Sequence, residues 1–259
     1  IRTLIAKQVD GIILTVGDVH NSEGLNLIRS RQIPHSLMYN TAPEGQISWA
    51  VDDHAAAAKV ADVFYENNHI NTGFLGLNFF NSDRSRQRFE GFSERCAYRQ
   101  MTPPALLEVQ EDGNDFTPHL SSFLKQHPKI TGIFASNDYG ALAAIRSAHQ
   151  LSIDVPHDLS IIGFDGIKVG QMIEPTLATI ATAPRTLGAG ASQTILSMIN
   201  GTKPPVLPCK DQTFSFRAGG SLMPLSAESK DDEKVTAFPP SNDPTHKKAN
   251  SKRRDHNEI

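Results

Sequence analysis

The sequence predicts an α/β protein built on parallel sheets, and three observations predict it. Short β-rich apolar runs recur along the chain. Ala-rich amphipathic stretches of helical length lie between them. Helix starts carry capping residues, as where Asn137-Asp138 precedes Tyr139-Gly-Ala-Leu-Ala-Ala-Ile145. Strand, helix, strand at this spacing argues for right-handed crossovers between parallel strands.

Gly11-Ile-Ile-Leu14 and His35-Ser-Leu-Met-Tyr39 read as the first strands, and Asp53 to Asn67 as a helix. Gly73-Phe-Leu-Gly-Leu77 is the next strand, followed by a helix over Ser85 to Gln100. Leu106 to Val109, Phe116 to His127, Gly132 to Ala135 and Asp138 to Gln150 repeat the strand–helix alternation, and Leu159 to Ile162 adds another strand. Trp49 reads as packing near a crossover rather than as a ligand-stacking ring. Asn200-Gly-Thr202 fits a glycosylation sequon but reads as a helix C-cap and turn.

From Met223 the composition turns polar and Pro-containing, with too few apolar side chains to offset ordering entropy, so residues 223–259 are expected to be disordered. Lys247 to Arg254 forms a basic cluster, read first as a solvated tail and second as a nucleic-acid contact.

Composition narrows the function. With 259 residues the chain can hold one large or two modest domains. A formal net charge of -3 supplies no overall basic field to grip nucleic acid. Cys96 and Cys209 are far apart and read as reduced thiols in a cytoplasmic protein. No apolar run approaches the roughly 18–20 residues of a membrane span, so no membrane partner is expected. Ile1 is not an initiator methionine, and the sequence reads as a piece of a longer chain. No dinucleotide, P-loop, zincin or nucleophile-elbow motif occurs, so neither a cofactor nor an enzyme is expected. The ten histidines are scattered without ligand spacing, and no metal site is expected.

In an open parallel sheet, ligands bind outside the carboxyl ends of the strands. Strand 132–135 ends on Ser136-Asn137-Asp138, and strand 159–162 runs into Gly163-Phe164-Asp165-Gly166. Arg88 falls near the start of the helix after Leu77, and Phe116 comes after the strand ending at Val109. A carboxylate, an amide, a guanidinium and an aromatic face on one sheet edge match the hydroxyls and C–H face of a sugar. Plainer readings stand beside this one. Asp165 can be a turn residue, Asn137 an N-cap, and Arg88 one solvated arginine among several in RSRQRFEGF.

These residues carry a resemblance. ASNDYGALAAIRSAHQLSIDVPHDLSIIGFDG, with Arg88-Phe-Glu-Gly-Phe92 before it and Glu174-Pro-Thr-Leu-Ala-Thr-Ile180 after it, resembles the effector-binding core of the lactose-repressor/galactose-repressor family of bacterial transcription regulators. The likeness runs from about Val9 to Leu222, and Val-Pro-x-Asp-x-Ser-Ile-Ile-Gly-Phe-Asp is among the more specific marks of the family. Ile173-Glu-Pro-Thr-Leu-Ala178 and Phe214-Ser-Phe-Arg-Ala-Gly-Gly-Ser221 are similar to the gluconate/idonate branch.

The resemblance implies a periplasmic-binding-protein-like type I fold: two similar doubly wound parallel-sheet subdomains joined by three crossovers. It places 1–51 and 183–210 in an N-terminal subdomain, incomplete here, and 52–182 and 211–222 in a C-terminal one. A sugar or sugar-acid effector would lie in the cleft, contacted by Arg88, Asn137, Asp165, Phe116 and Asn40. Pro184-Arg185 falls where some members place an aromatic. The family's helix-turn-helix is absent from these residues, so DNA would be a partner only through a missing N-terminal domain, and the assembly implied is a homodimer. The alternative carried by the same motifs is a periplasmic sugar-binding protein of a transporter.

Overall fold

The computed structural model describes residues 1–42, 47–110, 115–206 and 213–226. Two sheets organise them. The first is β1 (Ile12–Leu14), β2 (His35–Met38) and β3 (Ser48–Trp49), parallel and in that order. The second holds β4 (Thr72–Leu77), β5 (Ala105–Val109), β6 (Gly132–Ala135), β7 (Ser160–Asp165), β8 (Ala178–Thr182) and β9 (Phe214–Arg217), ordered β5-β4-β6-β7-β8-β9. Strands β4 to β8 are parallel, and β9 returns antiparallel along β8. The α/β reading with parallel sheets therefore holds, with one antiparallel edge strand added.

Helices α1 (Arg2–Ala6), α2 (Glu23–Ser30), α3 (Asp53–Glu66), α4 (Asp83–Tyr98), α5 (Thr117–Gln126), α6 (Asp138–Gln150) and α7 (Pro184–Asn200) connect the strands. The sequence dictates where four of them start. Ser22, Asp52, Ser82 and Asn137 each accept a hydrogen bond from the backbone N–H three residues on, satisfying a donor the helix leaves orphaned. Helix α7 ends on Gly201 at φ +65°, so the sequon residues do form the C-cap the sequence suggested.

The second sheet is covered on both faces. Its strands alternate with period two, as on β6, where Phe134 packs with Phe64, Phe74 and Phe92 while Ile133 and Ala135 pack with Leu75, Leu120 and Ala141. Helices α3 and α4 cross closely at Gly91, where a Cβ would meet the carbonyl oxygen of His54 at 2.2 Å. The α4 helix is thereby fixed against the sheet, and with it every side chain it sends toward the strand ends.

After β8 the chain leaves the second sheet, and α7 packs on the first. The Trp49 indole donates to Thr194 Oγ1 at 3.0 Å and lies flat against Gly190, where any Cβ would come within 2.3 Å of the ring. Trp49 is packing beneath α7, as expected. The ordered chain runs beyond Leu222. His69 Nε2 is bonded to the Met223 carbonyl at 2.9 Å, Met223 N–H donates to Ser160 Oγ at 3.2 Å, and Leu225 N–H donates to the Asn67 carbonyl at 3.0 Å. Disorder expected from Met223 thus does not begin there. Residues 227–259, with the basic cluster, lie outside the described residues.

Candidate functional site

Strands β4, β6 and β7 are neighbours, so the residues just past their carboxyl ends gather at one edge. Asp165 closes β7 with φ +114°, backbone that a residue with a Cβ rarely adopts. Asp138 holds this corner. It accepts from Ile167 N–H at 2.7 Å and from Thr179 Oγ1 at 2.6 Å. Burial raises the Asp138 carboxyl above its ordinary range, against these bonds. The Thr182 hydroxyl donates to the Asp165 carbonyl at 3.2 Å.

The carboxylate of Asp165 is left over. It makes no hydrogen bond or ion pair among the described residues. Burial pushes it up to about 6; Arg88 opposes that shift and Asp138 adds to it. Asp138 does the work of shaping the turn, so the turn makes no demand on the Asp165 side chain.

Asn137 caps α6 through Oδ1, which accepts from Gly140 N–H at 2.8 Å. Its amide NH2 stays without a partner among the described residues, so the capping reading and a donor role coexist. Arg88 is more committed than the sequence suggested. Its Nε donates to Asp53 Oδ1 at 2.7 Å, its Nη1 donates to the Ser136 carbonyl, and its guanidinium lies 3.5 Å from the centre of the Phe164 ring. Only Nη2 is unspent. Asp53, not Asp165, is its ion-pair partner.

Asn40 and Phe116 do not join this group. Asn40 is fully buried; it accepts from Val16 N–H, donates to the Val16 carbonyl and reaches both oxygens of Asp83. It is a strut between the loop after β1 and the start of α4. Phe116 packs with Leu75, Val109 and Leu120, on the sheet face opposite Phe134 and Phe164. The spacing Phe116, Leu120, Phe123, Leu124 places it on the buried stripe of α5.

Three residues at this edge went unread in the sequence. Tyr39, at the end of β2 with φ +71°, faces Thr182 and Asp165 of the second sheet. Burial raises its phenol, and the nearby Asp165 raises it further. Thr182 pins the Asp165 backbone at this edge. Arg84 sits four residues before Arg88 on α4, close enough to Asp165, Asp53 and Asp83 to feel their charge. The i, i+4 spacing in RSRQR was the available signal.

The comparisons with known proteins agree with this architecture. Residues 61–218 match the periplasmic binding protein-like domain. The HTH-type transcriptional regulator GntR of Escherichia coli K12 is 26% identical over 226 residues, covering 86% of this chain and 66% of that protein. The ribose operon repressor of Halalkalibacterium halodurans is 33% identical over 204 residues, covering 77% of this chain and 58% of its own length. The chain thus spans somewhat under two-thirds of these relatives. Among solved structures, a LacI family regulator from Enterococcus faecium with bound ribose superposes with a TM-score of 0.73 at 22% identity, covering 86% of this chain and 83% of that one. Transcription regulator GntR from Chromobacterium violaceum gives 0.75 at 23%, covering 85% and 81%. With its match over most of the second sheet and relatives that are transcription regulators rather than enzymes, the chain belongs to the periplasmic binding protein-like domain family, in the form that LacI-family regulators carry.

Proposed function

We propose that this chain is the effector-sensing part of a bacterial transcription repressor. A sugar or sugar acid binds at the carboxyl edge of the second sheet, in the cleft toward the first, and modulates operator binding by a helix-turn-helix outside these 259 residues. The observation that carries this reading is the unspent carboxylate of Asp165, held on strained backbone beside Arg88 and opposite Tyr39 of the other sheet. Strain at a residue whose side chain does nothing for the fold is the mark of a functional position.

Asp165 would accept from adjacent hydroxyls, with Asn137 Nδ2 and Arg88 Nη2 donating to ring or hydroxyl oxygens. Asn40 and Phe116, put forward on the resemblance, have support only as structural neighbours of the site. We place the subdomains at 1–51 with 183–210 and at 52–182 with 211–222, and the tail after 226. The working protein is proposed to be a cytoplasmic homodimer, as two-fold operators require. No helix among the described residues is long and apolar enough to cross a membrane. The regulator names of the relatives weigh against the transporter-receptor alternative.

A thermal-shift screen against sugars, sugar acids and sugar phosphates tests the reading. A ligand that binds only the folded state adds about 2.7 kcal/mol of stability at one hundred times Kd. A panel in which no compound raises the melting temperature removes the reading.

A further inference from the structure

The loop after β1 and the start of α4 belong to different sheets, yet they are bonded to each other. Asp83 opens α4, and its N–H is one of the donors that a helix leaves orphaned. The partner comes from the other sheet: this N–H donates to the Gly17 carbonyl at 2.9 Å. The Asp83 carboxylate turns the same way, accepting from Val19 N–H at 3.0 Å and from the Asn40 amide. Arg86, three residues on, sends Nη2 to Asp18 Oδ2 and Nη1 to the Phe80 carbonyl, both at 2.6 Å. The loop is itself anchored on the first sheet. Val19 is buried with Leu25 and Leu37, and Asp18 Oδ1 accepts from the His20 and Asn21 N–H groups. The two backbones approach so closely that a Cβ on Gly17 would lie 2.6 Å from the Asn81 carbonyl oxygen.

Topology gives these contacts leverage. The chain leaves the first sheet after β3 and the second after β8, and it returns from α7 to β9, the neighbour of β8. Strand β1 lies two strands from β3, and β4 lies three strands from β8. At about 4.8 Å per strand, the bonded segments stand roughly 10 and 14 Å from the crossovers. Opening the cleft turns the sheets about those crossovers, and it must pull the loop after β1 away from α4.

We propose that these contacts form a latch that holds the effector cleft shut before any effector arrives. Asp83 and Asn40 are its buried part. The Asp18–Arg86 pair is its releasable part, because the Arg86 side chain is 36% exposed and water can take over its bonds. An effector then meets walls already set at binding distance, and its entry waits on the latch. The inference goes beyond the effector-sensing reading, and its test needs no ligand.

Amide hydrogen exchange on the ligand-free chain reads the latch directly. The Val19 and Asp83 amides should be protected in wild type. In Asp18→Asn both should exchange at least about tenfold faster, while those of Ile133 and Phe134 in β6 do not change. Asn keeps Oδ1 for the His20 and Asn21 N–H groups, so this variant removes the ion pair and leaves the loop its own turn. Gly17→Ala pries the same contact apart without touching a charge and should act alike. Spin labels at Asn26→Cys on α2 and Glu90→Cys on α4 measure the distance across the cleft, in a chain carrying Cys209→Ser and with Cys96 buried. Wild type should give one population, and each latch variant a second at longer distance. An ion pair that only decorates the surface would move neither readout. Val19 and Asp83 amides that exchange in wild type as fast as those of a free loop overturn the proposal, as does a distance distribution that both variants leave unchanged. Neither result bears on the effector-sensing reading, because no effector is present.

Discussion

Tyr39 and Asp165, at the ends of strands in different sheets, stand close enough for the Asp165 charge to raise the Tyr39 phenol. The Thr182 hydroxyl beside them donates to the Asp165 carbonyl at 3.2 Å. Tyr39 and Asp165 both have positive φ, +71° and +114°. Each is a non-glycine residue in a conformation costing of the order of 1–3 kcal/mol, so its neighbours must over-determine it. Thr182, which holds the Asp165 carbonyl, lies just before α7 crosses to the first sheet.

Thr182→Val keeps the shape and removes the bond to the Asp165 carbonyl. A lost bond in this partly buried setting costs about 1 kcal/mol. We expect a melting temperature lower by a few degrees and effector affinity weaker by about tenfold, since the Asp165 carbonyl is no longer pinned. Calorimetry on the folded variant checks this. Unchanged affinity would mean that the Asp138 bonds alone aim Asp165.

Gly91 offers a test of the scaffold. Gly91→Ala drives a Cβ into the His54 carbonyl of α3, and backbone cannot step aside as a side chain can. Overpacking of this kind costs typically about 1–3 kcal/mol. Because Arg84 and Arg88 sit on α4, the variant should lose effector affinity as well as stability. Denaturant unfolding and titration of the same preparation measure both; a neutral effect on each would mean that the two helices separate freely.

Asn40 and Asp83 form a buried clasp between the loop after β1 and α4, with N···O distances of 3.1 and 3.2 Å. Asn40→Ala strands Val16 N–H and its carbonyl together with part of Asp83. Leaving buried polar groups unpaired costs about 1–3 kcal/mol each, so we expect a clear drop in unfolding free energy. Effector affinity, measured well below the melting temperature, should fall less than in Asp165→Asn. The reverse order would restore Asn40 to the ligand contacts that the resemblance implied.

The physics of each residue decides how much of the fold and the site was legible in the sequence. Strand–helix alternation and the caps were legible because both are local; Asn137 satisfies Gly140 three residues away. The end of β7 was legible because the strand is buried on both faces and then stops at a charged residue. The roles of Arg88 and Asn40 were not, because their partners lie 35 and 43 residues away in sequence. Phe116 misled because one aromatic after a strand serves either a cleft or a helix stripe, and only the packing of α5 decides. Thr182 and Tyr39 are ordinary strand residues until the crossover brings their sheets together.

Asp165 itself gives the sharpest test, through pH. In the ligand-free protein its carboxyl is raised to about 6 from the ordinary 3.8, chiefly by burial. A raised acid favours its protonated form in the folded state. Its contribution to stability is therefore fully present below the ordinary value and is lost as pH rises through about 6, amounting to roughly 3 kcal/mol between the limits. Wild type should accordingly lose stability relative to Asp165→Asn between about pH 4 and pH 6. Effector binding should run the other way, because hydroxyl donors favour the charged carboxylate. Affinity for a neutral or aldonate ligand should be about tenfold weaker at pH 5 than at pH 7 and level off above about pH 7. Asn tolerates positive φ and Asp138 holds the corner, so Asp165→Asn should fold. An amide offers one acceptor where the carboxylate offers two, so its affinity at about pH 7 should drop by about 10- to 100-fold, the worth of one or two charge-assisted bonds. Its pH profile should be flat. A variant that binds as tightly as wild type at neutral pH, or keeps the wild-type profile, would return Asp165 to the status of a turn residue.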